Sequence, residues 1–174
     1  MITRSCKLFV RGIKLHTDKN YKEAFELFLK SAKRGYVFSQ YMLGEMLMFG
    51  TGVEENEEDA IIWLKKASKN GSAMANSLLG RVYLYGWGVE KNRKEGLKYL
   101  ILSAEDGCSE GEYQLGRSYF GQATEVLTDY DESEYWLTKA ANKGHVKAQY
   151  DLAAFYTRQE TQKLNYQSAL KWFI

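Results

Sequence analysis

Proline is missing from all 174 residues. The residue that breaks helices by steric force is therefore unused, and punctuation falls to glycine and asparagine. Cysteine occurs only twice, as Cys6 and Cys108. Two cysteines in unlike contexts exclude a disulfide framework and any zinc-finger spacing, and they predict a reducing compartment, taken here as the cytoplasm. Histidine also occurs twice, and His16 and His145 stand far apart. No metal site, no cofactor and no catalytic triad is expected from them. No apolar run reaches membrane-spanning length, and the N-terminal stretch MITRSCKLFVRGIKLHT has no apolar core of signal-peptide length. A cytoplasmic chain with no membrane partner is expected. Charge is nearly balanced, with 24 basic against 22 acidic side chains and a net +2. The whole-molecule field thus argues neither for nor against nucleic acid, and no nucleic-acid partner is expected.

What is present is periodicity. The glycines Gly35, Gly71, Gly107 and Gly144 are spaced by 36, 36 and 37 residues. Small residues at Ala24, Ala60, Gly96, Ser133 and Ala169 keep those steps, as do Asn20, Asn56, Asn92, Asp129 and Asn165. A large apolar column, Leu27, Trp63, Tyr99, Trp136 and Trp172, runs in the same register. So does Leu43-Gly44, Leu79-Gly80, Leu115-Gly116 and Leu152-Ala153. Repetition at this period is the sequence signature of a repeat architecture.

Each unit reads as two helices. Helix A is expected at about 39–48, 75–85, 111–120 and 148–157, where apolar residues recur at helical spacing. A mid-helix glycine at position 44, 80 or 116 costs roughly 1 kcal/mol against alanine, and close approach of the partner helix is the return. Helix B is expected to start at the Asn/Asp column, whose short side chains accept from first-turn amides, and to end at the glycine column in a left-handed cap. Its core stripe is Ala60, Trp63, Leu64 and Ala67 in one copy and Ser133, Trp136, Leu137 and Ala140 in another.

These columns resemble the Sel1-like repeat, a relative of the tetratricopeptide repeat. The resemblance is carried best by ANSLLGRVYLYGWGVEKN (75–92) and DAIIWLKKASKNG (59–71). It implies an all-α, right-handed α-solenoid of about five helix-turn-helix repeats, one continuous array over 1–174. Residues 36–174 divide as 36–71, 72–107, 108–144 and an incomplete 145–174. The first unit, 4–35, has a shorter connection and looks tetratricopeptide-like. Trp172, Phe173 and Ile174 would have no following repeat to bury them. A cut from a longer protein, a frayed end and self-association through these residues are all open.

The motif Gly50-Thr51-Gly52, repeated as Gly86-Trp87-Gly88, invites a nucleotide-loop reading. A P-loop needs a Lys-Ser/Thr pair after its glycines, and a dinucleotide fingerprint needs a third glycine. Neither is present, and Glu54, Glu55, Glu57 and Glu58 would repel phosphate. The loop is read as a connector, with Val53 and Val89 under it. The third copy, within 120–133, and the fourth, within 157–168, depart from the pattern and are where a partner-specific edge is expected.

No catalytic residue is expected. A few proteins of the resembled family bind penicillins. The one Ser-x-x-Lys, Ser168 to Lys171, lacks the companion motifs of an acyl-transfer site.

The resemblance instead implies protein or peptide binding on the face lined by the A helices. Transferring the family register selects Tyr41, Glu45, Met48, Arg81, Tyr85, Tyr113, Arg117, Phe120, Lys147, Tyr150 and Arg158, with Phe49, Met74, Leu84 and Glu110 beside them. Tyr and Arg often carry interface energy. Whether Tyr41, Tyr113 and Tyr150 belong to that face or to the core is open. The expected function is a non-catalytic binding scaffold or adaptor. The alternative is a stoichiometric inhibitor or immunity protein against a bacterial toxin or effector, and a penicillin-binding hydrolase is a distant third.

Overall fold

The computed structural model describes residues 3–120, 129–158, 161 and 163–172. Among them the chain is all helical, with no strand. It divides into two compact units, 1–96 and 97–174.

The first unit contains α1 (Arg4–Thr17), α2 (Tyr21–Ala32), α3 (Val37–Met48), α4 (Glu57–Lys69), α5 (Ala73–Tyr85) and the first turn of α6 (Arg93–Glu105). Successive helices pack on one another from α1 through α5. Ala24, Phe28 and Met46 form one buried cluster, walled by Phe9, Leu15, Tyr21, Phe25 and Met42. The mid-helix glycine works as the sequence predicts. A Cβ on Gly44 would lie 2.7 Å from Leu64 Cγ, so α4 could not pack this closely on any larger residue.

The second unit contains the rest of α6, then α7 (Ser109–Tyr119), α8 (Tyr130–Asn142), α9 (Val146–Thr157) and α10 (Tyr166–Trp172). Here α7 packs on α8, α8 on α9, and α9 on α10. Tyr113, Leu137, Ala140, Ala141, Ala148 and Leu152 form the core, with Tyr156 and Trp172 against it. Gly116 repeats the role of Gly44, 2.9 Å from Leu137 Cγ by the same measure.

Helix ends follow the columns. Gly35, Gly71, Gly107 and Gly144 all take positive φ between 75° and 87°. Asn56 accepts from the Asp59 amide, Asn92 from Glu95, Asp129 from Asp131 and Glu132, and Asn165 from Ser168. Asn20 makes no such bond. The A helices start about two residues earlier than expected, at Val37, Ala73, Ser109 and Val146. Two of these starts carry side-chain caps the sequence reading missed. Ser72 Oγ accepts from the Ala75 amide, and His145 Nδ1 accepts from the Ala148 amide.

The tryptophan column is a correction. Ala60, Leu64, Ala67, Ser133, Leu137 and Ala140 are buried as expected, but Trp63 and Trp136 are only half-buried. Each lies at the rim of the core under a lysine, Lys66 Nζ being 5.0 Å from the Trp63 ring and Lys139 Nζ 4.5 Å from that of Trp136. Val53 and Val89 are half-buried. Residues 121–128 of the third connector, residues 159, 160 and 162 of the fourth, and Phe173 and Ile174 lie outside the described residues.

Candidate functional site

Gly50, Gly52, Gly86 and Gly88 all have positive φ, between 63° and 77°. Both copies of the motif are left-handed turns that only glycine adopts at low cost. Thr51 N–H donates to the carbonyl of Met46, and Trp87 N–H to that of Val82, so the two middle amides are already engaged by the helix they follow.

The second copy contributes a side chain that register transfer did not select. Trp87 meets Tyr85 at 5.4 Å and Phe49 at 5.9 Å between ring centroids. Arg81 lies over the same indole, its Cζ 5.0 Å from the centroid. A guanidinium on an indole face is held by the ring quadrupole. Phe49 is 47% exposed and Tyr85 55%, so this cluster presents aromatic surface to solvent. The signal for Trp87 was its replacement of Thr51 at the same register position, the larger of the two at an otherwise constant turn.

The remaining selected residues of the first unit behave differently. Met48 is 3% exposed and belongs to the core, so it is removed from the contact surface. Leu84 is likewise buried. Tyr41 is half-buried, and its hydroxyl donates to Glu45 Oε1 one turn on. Met74 is exposed.

In the second unit, Arg117, Phe120, Leu137, Asp151, Ala154 and Arg158 line a small hollow of about 30 Å³. Arg117 Nε lies 3.7 Å from Asp151 Oδ2, and its Nη1 donates to the Tyr113 hydroxyl at 3.5 Å. Arg158 Cζ sits 5.0 Å over the Phe120 ring. Tyr113 is 4% exposed and is core, which also removes it from the contact surface. Burial raises its phenol pKa above the ordinary value, and the negative Asp151 raises it further. Its ring stacks on His145 at 4.5 Å. Because His145 Nδ1 accepts the Ala148 amide, the tautomer that fits carries its proton on Nε2, which donates to Glu110 Oε2 at 3.0 Å. Lys147 and Tyr150 are exposed, Tyr150 by 65%. The three tyrosines therefore divide: one in the core, one half-buried, one on the surface. Asp151 and His145 are the partners that the sequence reading did not assign.

Among the described residues no group of His, Cys, Asp and Glu could hold a metal ion, and no helix is long and apolar enough to cross a membrane. Neither Cys6 nor Cys108 is part of a disulfide.

A solved structure of a Sel1 repeat protein from Oxalobacter formigenes matches with a TM-score of 0.90 at 25% identity, over 97% of this chain and 69% of that one. The c5321 protective antigen of uropathogenic Escherichia coli, which has an SLR fold, gives 0.77 at 27% identity over 98% of this chain, which spans 37% of that one. Immunity protein Pa5087 from Pseudomonas aeruginosa gives 0.54 at 17% identity, over 98% of this chain and 80% of that one, a likeness of fold alone. No curated protein matches the chain. A sequence model of the Sel1 repeat matches residues 7–36, 37–72, 73–108, 109–145 and 146–174. The stretch set apart above as tetratricopeptide-like is thus matched as a Sel1 repeat too. With five matched repeats from residue 7 to residue 174, the chain belongs to the Sel1 repeat family.

Proposed function

We propose that the chain is a non-catalytic scaffold that binds a protein or peptide through surfaces offered by its A helices. The observation that carries this is the aromatic cluster of the first unit, in which exposed Phe49 and Tyr85 flank half-buried Trp87 under Arg81; in the second unit the half-buried Phe120 lies under Arg158 beside Arg117. Exposed aromatic surface is costly to leave in water, and aromatics with arginine are the groups that anchor interfaces. Glu45, Lys147 and Tyr150 would extend the contact. Ser168 offers its amide to Asn165, and Lys171 Nζ lies 5.1 Å from the Trp172 ring, an arrangement that suits helix capping and surface packing. The proposal includes a reducing, cytoplasmic setting, with which two cysteines outside any disulfide are compatible.

The test is a pull-down with native mass spectrometry, comparing the parent chain with the double variant Arg81→Glu, Arg117→Glu. Loss of the complex is expected. A complex that survives both charge reversals would show that the partner sits elsewhere.

A second reading, a stoichiometric inhibitor or immunity protein, draws support from the fold likeness to Pa5087. Co-expression with a toxin-like product encoded beside this chain would decide it, protection of the host being the supporting outcome.

A further inference from the structure

We propose that the groove between α2 and the turn after α3 receives an arginine side chain from a basic segment of a partner protein. None of its lining residues belongs to the aromatic and arginine surface proposed above, so it is a second, separate contact.

The groove measures about 580 Å³ and is open to solvent. Sites that hold small ligands span roughly 300–1,000 Å³, so a long side chain has room here. Its floor is apolar. Phe25 and Val53 line it, both half-buried, and Phe25 also packs on the core of Ala24, Phe28 and Met46. The polar part is mostly acidic. Glu26 from α2 and Glu54 from the turn are exposed and line the same groove, with Lys22 beside them. Glu54 also opens an acidic run that continues through Glu55, Glu57, Glu58 and Asp59. Lys22 stands four residues before Glu26 on α2, and an exposed pair of that spacing is weak enough to yield to a better-placed cation.

The next repeat provides a comparison. Val53 and Glu54 recur there as Val89 and Glu90, but Lys22, Phe25 and Glu26 give way to Glu58, Ile61 and Ile62, with Ile61 buried. The connector is kept while the helix facing it turns aliphatic. Gly88 is still seated closely on Glu57 of that helix. Seating the turn therefore does not require an aromatic ring or a carboxylate on the facing helix, and Phe25 with Glu26 needs another reason.

Arginine matches what the groove offers. Its methylenes cover an apolar floor, its planar cation can lie over a phenyl ring, and its forked donors pair with carboxylates. A phosphate group, from nucleic acid or lipid, would be repelled by Glu26, Glu54 and the run that follows. A bare metal ion would make no use of Phe25 or Val53.

Fluorescence anisotropy with the full chain, at about 0.15 M salt to screen distant charges, tests this. The probes are labelled, acetylated and amidated peptides of alternating Arg-Leu, Lys-Leu and citrulline-Leu, the last keeping arginine's shape without its charge. The Arg-Leu peptide should bind about five-fold more tightly than the citrulline-Leu peptide, the upper scale of an exposed ion pair, with Lys-Leu between them. Glu26→Gln with Glu54→Gln should remove the preference. Glu57→Gln with Glu58→Gln removes the same charge outside the groove lining and should leave it in place. Circular dichroism should show both variants helical. Equal binding of Arg-Leu and citrulline-Leu, a preference that survives the Glu26 and Glu54 changes, or an equal loss in both variants would overturn the groove. Lys-Leu binding as tightly as Arg-Leu would overturn the choice of arginine, and binding of none of the peptides would overturn both. The pull-down with Arg81 and Arg117 reversed reads the scaffold surface separately, so either proposal can fail while the other stands.

Discussion

Gly52 rests on Tyr21 so closely that a Cβ added to the glycine would lie 2.3 Å from the tyrosine Cβ and 2.7 Å from its carbonyl carbon. The turn after α3 is therefore seated on the first residue of α2, in the preceding repeat. One repeat on, Gly88 has the same relation to Glu57, its added Cβ falling 2.6 Å from Glu57 Cβ. The second glycine of the motif exists to let one repeat's turn touch the previous repeat's helix. The first glycine has a separate job. An added Cβ on Gly50 meets nothing nearer than 3.5 Å, so it answers only to its φ of 63°. Gly50→Ala should thus cost about 1–2 kcal/mol, the left-handed penalty. Gly52→Ala should cost about 3 kcal/mol or more, because overpacking against backbone is added to it. Urea unfolding of the two variants measures the difference, and equal losses would refute the seating role.

Lys143 and Glu112 form an asymmetric pair. Glu112 is fully buried, Lys143 partly exposed, and their charged atoms are 2.7 Å apart. Lys139 is a more distant second cation at 3.6 Å. Lys143 also donates to the Gly107 carbonyl at 2.8 Å, which places a cation at the otherwise acidic end of α6. Removing the lysine strands a buried carboxylate, whereas removing the carboxylate's charge lets lysines turn to water. Lys143→Met should therefore destabilise by about 2–4 kcal/mol and Glu112→Gln by about 1 kcal/mol. Denaturant midpoints that fall in the opposite order would reject this account.

Tyr156 supplies an alkaline limit. Its hydroxyl donates to Glu134 Oε1 at 2.6 Å, and Lys163 bridges Glu134 and Asp131. Burial first, and then the bond to Glu134, push the phenol pKa up to about 12 from its ordinary 10. The folded state thus holds its proton more tightly than the unfolded state. The stabilisation is complete below pH 10 and is lost as pH rises through 12. Tyr156→Phe should be less stable than the parent by about 1 kcal/mol at neutral pH. Urea titrations at neutral pH and near pH 11.5 should show the two proteins converging. A gap that stays constant would mean the phenol does not titrate there.

His145 serves three contacts at once: the Ala148 amide, Glu110 and the Tyr113 ring. His145→Ala should cost about 2 kcal/mol, summing a cap and a ring contact. His145→Asn keeps a capping oxygen and should recover about half of that. Thermal melts of the pair test the division, and no recovery with asparagine would mean that the cap contributes little.

The repeat was legible because every copy must solve the same local problems. Glycine for a left-handed turn, a small residue for helix contact and Asn or Asp for a first turn recur wherever those problems recur. Depth was less legible, because it depends on which neighbour arrives from the next helix. Tyr113 is core and Tyr150 is surface, although register alone had treated them alike. The tryptophan column covers the rim because lysines one turn on hold the rings there, a contact visible only when the helix is built. Trp87 and Asp151 were missed for a related reason. Each becomes significant only beside an arginine on the same or an adjacent helix, and nothing in a single column announces that pairing.

The turn glycines Gly35, Gly71 and Gly144 combine φ near +85° with open space where a side chain would project. The barrier to a larger residue there is handedness and not room. A chemically synthesised chain carrying D-alanine at these three positions should fold as the parent does and gain rigidity, since the mirror-image residue prefers that backbone. The joints between repeats are in this sense achiral gaps in an otherwise left-handed alphabet, and they are where a mirror-image residue could enter the chain without meeting a packed neighbour.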